Sequence, residues 1–179
     1  MRFYEIGEYM KLFFVTGIAN SNWSHIAEAL QTPCQKVSEN TFSKIKEANK
    51  VILRKGVATG ATITDVILSL EDGSPSILVE EEILPSLDQW ANSSEIRFLV
   101  FYCAPQIALA SALQEQVLSN EECMDMLSSW VEQTRGAYDF YIKHKAQCLL
   151  LDVQDVVENQ ASAAKEMSTF LKVEATLNK

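Results

Sequence analysis

Hydrophobic residues are grouped into short runs separated by polar stretches, and this grouping predicts strands that alternate with helices. Five continuous apolar runs are expected to be strands: residues 11–17, 51–55, 76–81, 96–102 and 147–152. Continuous rather than alternating apolar character is typical of parallel strands that helices cover on both faces. The pattern therefore predicts an α/β fold with three layers, α/β/α, around a mostly parallel five-stranded sheet.

Between these runs, apolar residues recur at helical spacing. The segments expected to be helical are 23–31, 38–49, 62–71, 84–91, 105–118, 121–133, 135–145 and 161–171. Ser119 followed by Glu122 predicts a capping box, because the hydroxyl and the carboxylate can each satisfy a free backbone N–H group. Residues 1–173 are predicted to form one domain, and residues 174–179 a polar C-terminal tail that frays.

The net charge argues against one class of partner. The chain has 179 residues, of which 47% are hydrophobic, and it carries a formal net charge of −9. A general nucleic-acid-binding protein needs a basic surface to neutralise phosphates, so no nucleic-acid partner is expected. Cations are concentrated in residues 36–55 and 135–145, which are interpreted as solvated helix faces.

Cysteine spacing and the length of the apolar runs bear on metal binding and location. Cys34, Cys103, Cys123 and Cys148 are scattered singly, so neither a zinc site nor a disulfide framework is indicated, and no metal is expected. No apolar run approaches the roughly 20 residues that cross a bilayer. We therefore expect a soluble, cytoplasmic protein without a membrane span.

Two segments, Lys11–Leu30 and Ile96–Leu113, share the order strand, tight loop and helix. At such a loop, free N–H groups at the start of the helix attract anions, helped by the helix dipole. In the first loop, Asn22 and Trp23 stand where a Walker loop needs glycine and lysine. Ordinary binding of ATP or GTP is therefore not expected.

The first segment resembles the first loop of bacterial and carbohydrate sulfotransferases, which commonly reads F-[IV]-x-G-x-P-[RK]-S-G-T-[ST]-x-L-A. The residues in register, or nearly so, are Phe14, Gly17, Ser21, Ser24, Ala27 and Leu30. Asn20, Asn22 and Trp23 replace the cation, the glycine and a threonine of that pattern. The resemblance is thus to a degenerate member of the family.

The second segment is similar to another family signature, a strand ending in R-[DN]-P followed by a serine eight positions after the arginine. Pro105 and Ser111 match in spacing. Cys103, Ala104 and Gln106 stand where the arginine, the acid or amide, and often another arginine would be.

Weaker similarities continue downstream in the order that the family has. SILVEEEIL resembles a strand that ends near an acidic position, here Glu82. Trp130, Tyr138 and the segments CLLLDVQDV and STFLKV match later family positions. Together these similarities imply a sulfotransferase-like P-loop fold over most of residues 11–173.

The resemblance implies a site and a reaction. The family transfers the sulfuryl group of 3′-phosphoadenosine 5′-phosphosulfate to a hydroxyl or amine, usually with an acidic or histidine base. The donor-binding candidates that the resemblance implies are Gly17, Asn20, Ser21, Asn22, Trp23, Ser24 and Ser111. The weaker catalytic candidates are Lys55, His25 and Glu82.

The missing cations have a calculable cost. Each lost charge-assisted phosphate contact forfeits about 1.5–3 kcal/mol. Two losses would weaken donor binding about a hundredfold or more, since about 1.4 kcal/mol is tenfold. We therefore expect no required cofactor, and only weak binding of the phosphosulfate donor or a related nucleotide. Structural roles compete at each position: helix packing for Ser111, an N-cap for Ser21 or Ser24, and a surface location for His25.

Three functions are left open. The first is a non-catalytic binding or regulatory module linked to surface-glycan biosynthesis in bacteria, with a glycan or a glycan-biosynthesis protein as partner. The second is a divergent, active carbohydrate sulfotransferase whose cations come from Arg54, Lys55 or Arg135. The third is an unrelated α/β module that binds a protein or glycan. Strand order distinguishes the third, because the sulfotransferase resemblance requires the first strand to lie centrally beside the Ile96 strand.

Overall fold

Strands and helices alternate through most of the chain. The computed structural model describes residues 10–55, 60–70 and 75–177. In chain order the elements are β1 (Leu12–Gly17), α1 (Trp23–Ala29), β2 (Leu30–Gln31), β3 (Gln35–Lys36), α2 (Glu39–Lys55), α3 (Gly60–Leu68), β4 (Ser76–Val79), a 3₁₀ helix (Glu81–Ser86), α4 (Leu87–Trp90), β5 (Ile96–Tyr102), α5 (Pro105–Glu115), α6 (Asn120–Lys143), β6 (Cys148–Asp152), α7 (Val153–Glu158), α8 (Gln160–Leu171) and β7 (Thr176–Leu177).

A parallel sheet with the strand order β3-β4-β1-β5-β6 forms the centre of the molecule. Strand β1 lies between β4 and β5, with Leu12 opposite Ile96 and Gly17 opposite Phe101. All six residues of β1 are buried, as expected when helices cover both faces of a sheet. The α/β prediction and the central position of the first strand beside the Ile96 strand are confirmed.

The two faces of the sheet form separate hydrophobic clusters. Along β1, Phe14 points into one cluster and Phe13 into the other, because successive side chains of a strand alternate. The Phe14 ring stacks on Phe98 at 5.7 Å and meets Trp90 edge-on at 5.2 Å. Helices α2, α3, α4 and α6 contribute to the Phe14 cluster, whereas α1, α5, α7 and α8 contribute to the Phe13 cluster.

The predicted strand at residues 51–55 is wrong, because these residues form the end of helix α2. Ile45, Ala48 and Ile52 are buried at helical spacing, so the apolar run is the last part of a helix face. The fifth strand of the sheet is Gln35–Lys36, which pairs with β4. Both of its residues are exposed and polar, so it lacks the apolar run by which buried strands are recognised.

Residues 121–145 were expected to form two helices, but a single helix of 24 residues, α6, spans Asn120–Lys143. Gly136 lies inside it without ending it. The predicted capping box is confirmed: the Ser119 hydroxyl accepts a bond from the Glu122 N–H at 3.2 Å, and the Glu122 carboxylate accepts one from the Ser119 N–H at 2.7 Å.

The C-terminal segment packs against the domain as far as it is described. Ala175 is buried, and its N–H donates to the Ser168 hydroxyl at 2.9 Å. Thr176–Leu177 pairs antiparallel with Leu30–Gln31. The expectation of a frayed tail is therefore wrong for residues 175–177, while residues 178 and 179 lie outside the described part. Among the described residues, no helix has the length and apolar character needed to cross a membrane.

Candidate functional site

The two predicted loops lie side by side at the carboxyl edge of the sheet. Strands β1 and β5 are adjacent and parallel, so their following helices begin next to each other. The Ile18 N–H donates to the Phe101 carbonyl at 3.0 Å. The Ser111 hydroxyl, in α5, donates to the Asn22 side-chain oxygen at 3.0 Å. This bond connects residues of both loop–helix segments directly.

Two asparagines shape the first loop. Asn20 and Asn22 have φ values of 59° and 57°, in the left-handed region that favours glycine. Asparagine adopts this conformation more easily than most residues, because its short amide can bond locally. Asn22, which replaces a family glycine, therefore keeps a backbone conformation that a glycine would adopt. It is also the N-cap of α1, which corrects the N-cap role considered for Ser21 or Ser24.

Other polar groups of the first loop bond within the protein. Ser21 is fully buried, and its hydroxyl donates to the Ile18 carbonyl at 2.7 Å. The Ala19 N–H donates to the side-chain oxygen of Gln133, in α6, at 2.9 Å. Ser24, the second residue of α1, is half-buried. The Ser21 hydroxyl and the Ala19 N–H are thus engaged by protein acceptors rather than directed at a ligand.

The Trp23 side chain occupies the space beside Gly17. Trp23 is 3% exposed, and its ring stacks on Phe101 at 6.4 Å with the planes 9° apart. A Cβ added to Gly17 would lie 2.5 Å from the Trp23 Cγ, which is a severe overlap. Glycine is therefore required at position 17 by the tryptophan, whether or not a phosphate ever approaches there.

The second loop offers a buried thiol where the family has an arginine. Cys103 is fully buried, and its carbonyl accepts a bond from the Trp130 indole N–H at 3.1 Å. Burial raises the pKa of the Cys103 thiol, and the negative charge of Asp152 raises it further. Ala104 is the N-cap of α5, and Pro105 begins the helix. A thiol is neutral or negative and never carries a positive charge, so Cys103 cannot replace a cation.

Acidic residues lie at the same edge of the sheet. Asp152 ends β6 and accepts a bond from the Gln154 N–H at 2.8 Å, which caps α7. Burial raises the pKa of Tyr102, and the charges of Asp152 and Asp155 add to that increase. The edge is therefore locally negative, which disfavours an anionic donor. Sequence reasoning missed this property, although Asp152 is the last residue of the predicted strand 147–152.

Within residues 10–55, 60–70 and 75–177, no three His, Cys, Asp or Glu side chains form a group that could hold a metal ion.

Of the three catalytic candidates, the structure describes the side chain of His25. His25 is exposed on α1, with its Nδ1 4.0 Å from the Glu28 carboxylate. Lys55 is the last residue of α2, and Glu82 belongs to the 3₁₀ helix. The side chains of Lys55 and Glu82 lie outside the described part of the chain.

Of the three cations proposed to substitute for the family arginines, neither Arg54 nor Arg135 is directed at the first loop, and the Lys55 side chain lies outside the described part. Arg54 is exposed near the end of α2, which packs on the face of the sheet opposite α1. Arg135 is exposed and lies two positions after Gln133, the α6 residue that reaches the loop. Residues two apart point to different sides of a helix, so Arg135 faces away from the loop.

Comparisons of sequence and structure give different results. No protein-family model and no curated protein matches the sequence. The crystal structure of a sulfotransferase from Alicyclobacillus acidocaldarius matches with a TM-score of 0.53 and 12% identity, over 90% of this chain and 80% of that one. The chain has a sulfotransferase-like fold.

A second similar structure supports the same fold. The sulfotransferase domain from the curacin biosynthetic pathway matches with a TM-score of 0.53 and 11% identity, over 91% of this chain and 74% of that chain. The sulfotransferase-like fold inferred from the two loops is thereby confirmed. At identities this low, the likeness concerns the fold alone.

Proposed function

We propose that this chain is a sulfotransferase-like domain that has lost efficient donor binding and acts as a binding or regulatory module. The supporting observation is that protein side chains fill the junction of the two loops. Trp23 lies against Gly17, and the Ser111 hydroxyl is bonded to Asn22. A phosphate at this junction would have to displace both contacts.

The charge distribution supports the same proposal. The segments 16–24 and 103–111 contain no lysine or arginine, so neither supplies a charge-assisted phosphate bond. Asp152 and Asp155 add negative charge next to Tyr102, at the end of β5. Desolvating a multiply charged donor near carboxylates, without cations, is unfavourable. A developing negative charge on the bridging oxygen would also lack stabilisation during sulfuryl transfer.

The proposed setting is surface-glycan biosynthesis in the bacterial cytoplasm, with a glycan or a protein of that pathway as partner. This part rests on the sequence resemblance to bacterial and carbohydrate sulfotransferases and on fold-level analogy. The alternative of a divergent active sulfotransferase needs imported cations, and the positions of Arg54 and Arg135 give it no support.

A crystal soaked with adenosine 3′,5′-bisphosphate tests the proposal. We expect no ordered nucleotide between the first loop and Ser111, with the Trp23 ring still stacked on Phe101. An ordered phosphate bonded to the loop N–H groups and to Ser111 would contradict the proposal. It would favour the active transferase instead.

A further inference from the structure

A cavity lies at the β3 side of the sheet, and its walls come from α1, the β2–β3 segment, α2 and β4. Its volume is about 720 Å³, and most of its surface is apolar. The apolar residues around it include Leu30, Val37, Phe42, Ile77 and Val79. A volume of about 300–1,000 Å³ with mainly apolar walls and a few polar groups is typical of small-molecule sites.

Val79 directs its backbone N–H and carbonyl towards the β3 side of β4. In a parallel sheet, successive residues of a strand bond alternately to its two neighbours. The Glu80 N–H donates to the Val15 carbonyl, in β1, at 3.0 Å. The Ile77 carbonyl accepts from the Val37 N–H, on the β3 side, at 3.3 Å. Val79 lies two residues after Ile77, so its backbone groups face the same side as those of Ile77.

Among the described strands, none offers Val79 a partner on that side. Strand β3 ends at Lys36 and α2 begins at Glu39, so the pairing of β3 with β4 stops at Ile77. Within the described ranges, no backbone group bonds to the Val79 N–H or to the Val79 carbonyl. Because Val79 also lines the cavity, a donor and an acceptor stand together in a mainly apolar wall.

Charges at the rim of the cavity favour neither an anion nor a cation strongly. Glu28, Lys36 and Glu39 are exposed there and carry both signs. Recognition therefore depends on apolar contact and on the backbone groups of Val79. The N–H and carbonyl of one extended residue pair with those of another extended chain, as in strand addition. A single trans amide cannot make both bonds, because its N–H and carbonyl point in opposite directions.

We propose that this cavity binds a small peptide-like molecule, an apolar amino-acid residue with an amide on each side. One ligand N–H donates to the Val79 carbonyl, one ligand carbonyl accepts from the Val79 N–H, and the apolar side chain contacts the cavity wall. The 3₁₀ helix begins at Glu81, so β4 presents one residue with unpaired groups rather than a long edge, which suits a small molecule better than an added strand. None of the described lining residues belongs to the segments 16–24 and 103–111, so the proposal is independent of nucleotide binding.

Titration of the ¹⁵N-labelled chain with N-acetyl-L-leucine methylamide, followed by NMR, tests the proposal. The Val79 amide signal should move downfield and saturate, with a dissociation constant of about 1 mM or lower, as ordinary ligand efficiency gives for a molecule of this size. The diester analogue, in which oxygen replaces both N–H groups, should bind about threefold to tenfold more weakly, because the Val79 carbonyl loses its donor. No saturable shift at Val79, or equal affinities for the two compounds, would overturn the proposal.

A proline substitution tests the other bond. Val79→Pro removes an N–H that β1 does not use, at a strand edge where proline is tolerated, and should weaken binding about threefold to tenfold. Val117→Pro is the matched control, because Val117 is 99% exposed between α5 and α6 and follows an extended residue, and it should leave the affinity unchanged. Equal affinities of the two variants, followed at the Ile77 amide, would overturn the proposal. Urea denaturation checks that each variant folds, and if Val79→Pro does not, the comparison of amide with diester on the native chain decides.

Discussion

At the scale of single residues, Gly17 shows how a family position can be kept for a new reason. In the sulfotransferase pattern this glycine belongs to the donor loop, and its match in the sequence suggested anion binding. In the structure it accommodates the Trp23 side chain, which would overlap with any Cβ at position 17. Spacing in the sequence could locate the glycine, but it could not show which neighbour requires it.

Gly17→Ala should therefore lower the free energy of unfolding by about 1–3 kcal/mol, the usual range for overpacking a well-packed site. Gly136→Ala is the matched control, because a Cβ there meets nothing within 4 Å. Since Gly136 lies in a helix, that change should stabilise the protein by about 0.5–1 kcal/mol. Urea denaturation of both variants measures the difference, and equal effects would argue against the Trp23 contact.

The polar contacts of the loops were beyond sequence reasoning. Ser111 was identified by its spacing from the loop start, but its partner Asn22 is 89 residues away in the chain. Gln133 reaches the Ala19 N–H across 114 residues. Contacts of this kind depend on how the helices pack against the sheet, so no local sequence pattern predicts them.

At the scale of elements, the features that a few neighbouring residues encode were predicted correctly from the sequence. The start of α6 followed from Ser119 and Glu122 alone, because a capping box is contained in four residues. The short strand Gln35–Lys36 could not be recognised, since only its pairing with β4 makes it a strand. The segment 51–55 was misassigned because a short apolar run fits a buried strand and a helix face equally well.

Ser119→Ala should destabilise the protein by about 1 kcal/mol, because the Glu122 N–H at the start of α6 loses its acceptor. Ser162→Ala, at an exposed position in α8, is the control and should change stability by less than about 0.5 kcal/mol. Thermal or urea unfolding measures both. A Ser119→Ala variant as stable as the control would mean that the cap contributes nothing.

At the scale of the whole molecule, an ionic contact between α4 and α6 should appear in the pH dependence of stability. Asp88 lies 3.0 Å from both the Lys143 Nζ and the His144 Nε2. Partial burial raises the pKa of Asp88, but the hydrogen bonds and charges of Lys143 and His144 outweigh it, and the pKa lies below its usual value of 3.8. The stabilisation is therefore complete above that value and is lost as the pH falls through the lower, folded-state pKa.

Between pH 6 and pH 3, the native protein should thus lose more stability than Asp88→Asn. The difference should not exceed about 1 kcal/mol, because the pair is exposed to solvent. Asp65→Asn, which removes an exposed carboxylate from α3, controls for the change in net charge. Urea unfolding at a series of pH values measures the effect. An equal loss of unfolding free energy between pH 6 and pH 3 in the native protein and in Asp88→Asn would contradict it.

The layers, the central place of β1 beside β5 and the meeting of the two loops followed from apolar runs and family spacing, because buried parallel strands have a strong signal. The backbone conformation and the side-chain contacts of the site could not be predicted from the sequence. Asn20 and Asn22 replace a cation and a glycine in the sequence, but only the structure shows their left-handed backbone and the bond to Ser111. The site thus combines a retained backbone shape with a lost positive charge.

Isothermal titration with adenosine 3′,5′-bisphosphate measures directly whether the loss of positive charge has weakened donor binding. Two missing charge-assisted contacts should raise the dissociation constant about a hundredfold or more above that of an intact site. Asn20→Arg, which restores the cation of the family pattern, should bind more tightly than the native chain. We expect no binding by the native chain in the low micromolar range. A low-micromolar dissociation constant for the native chain would contradict it.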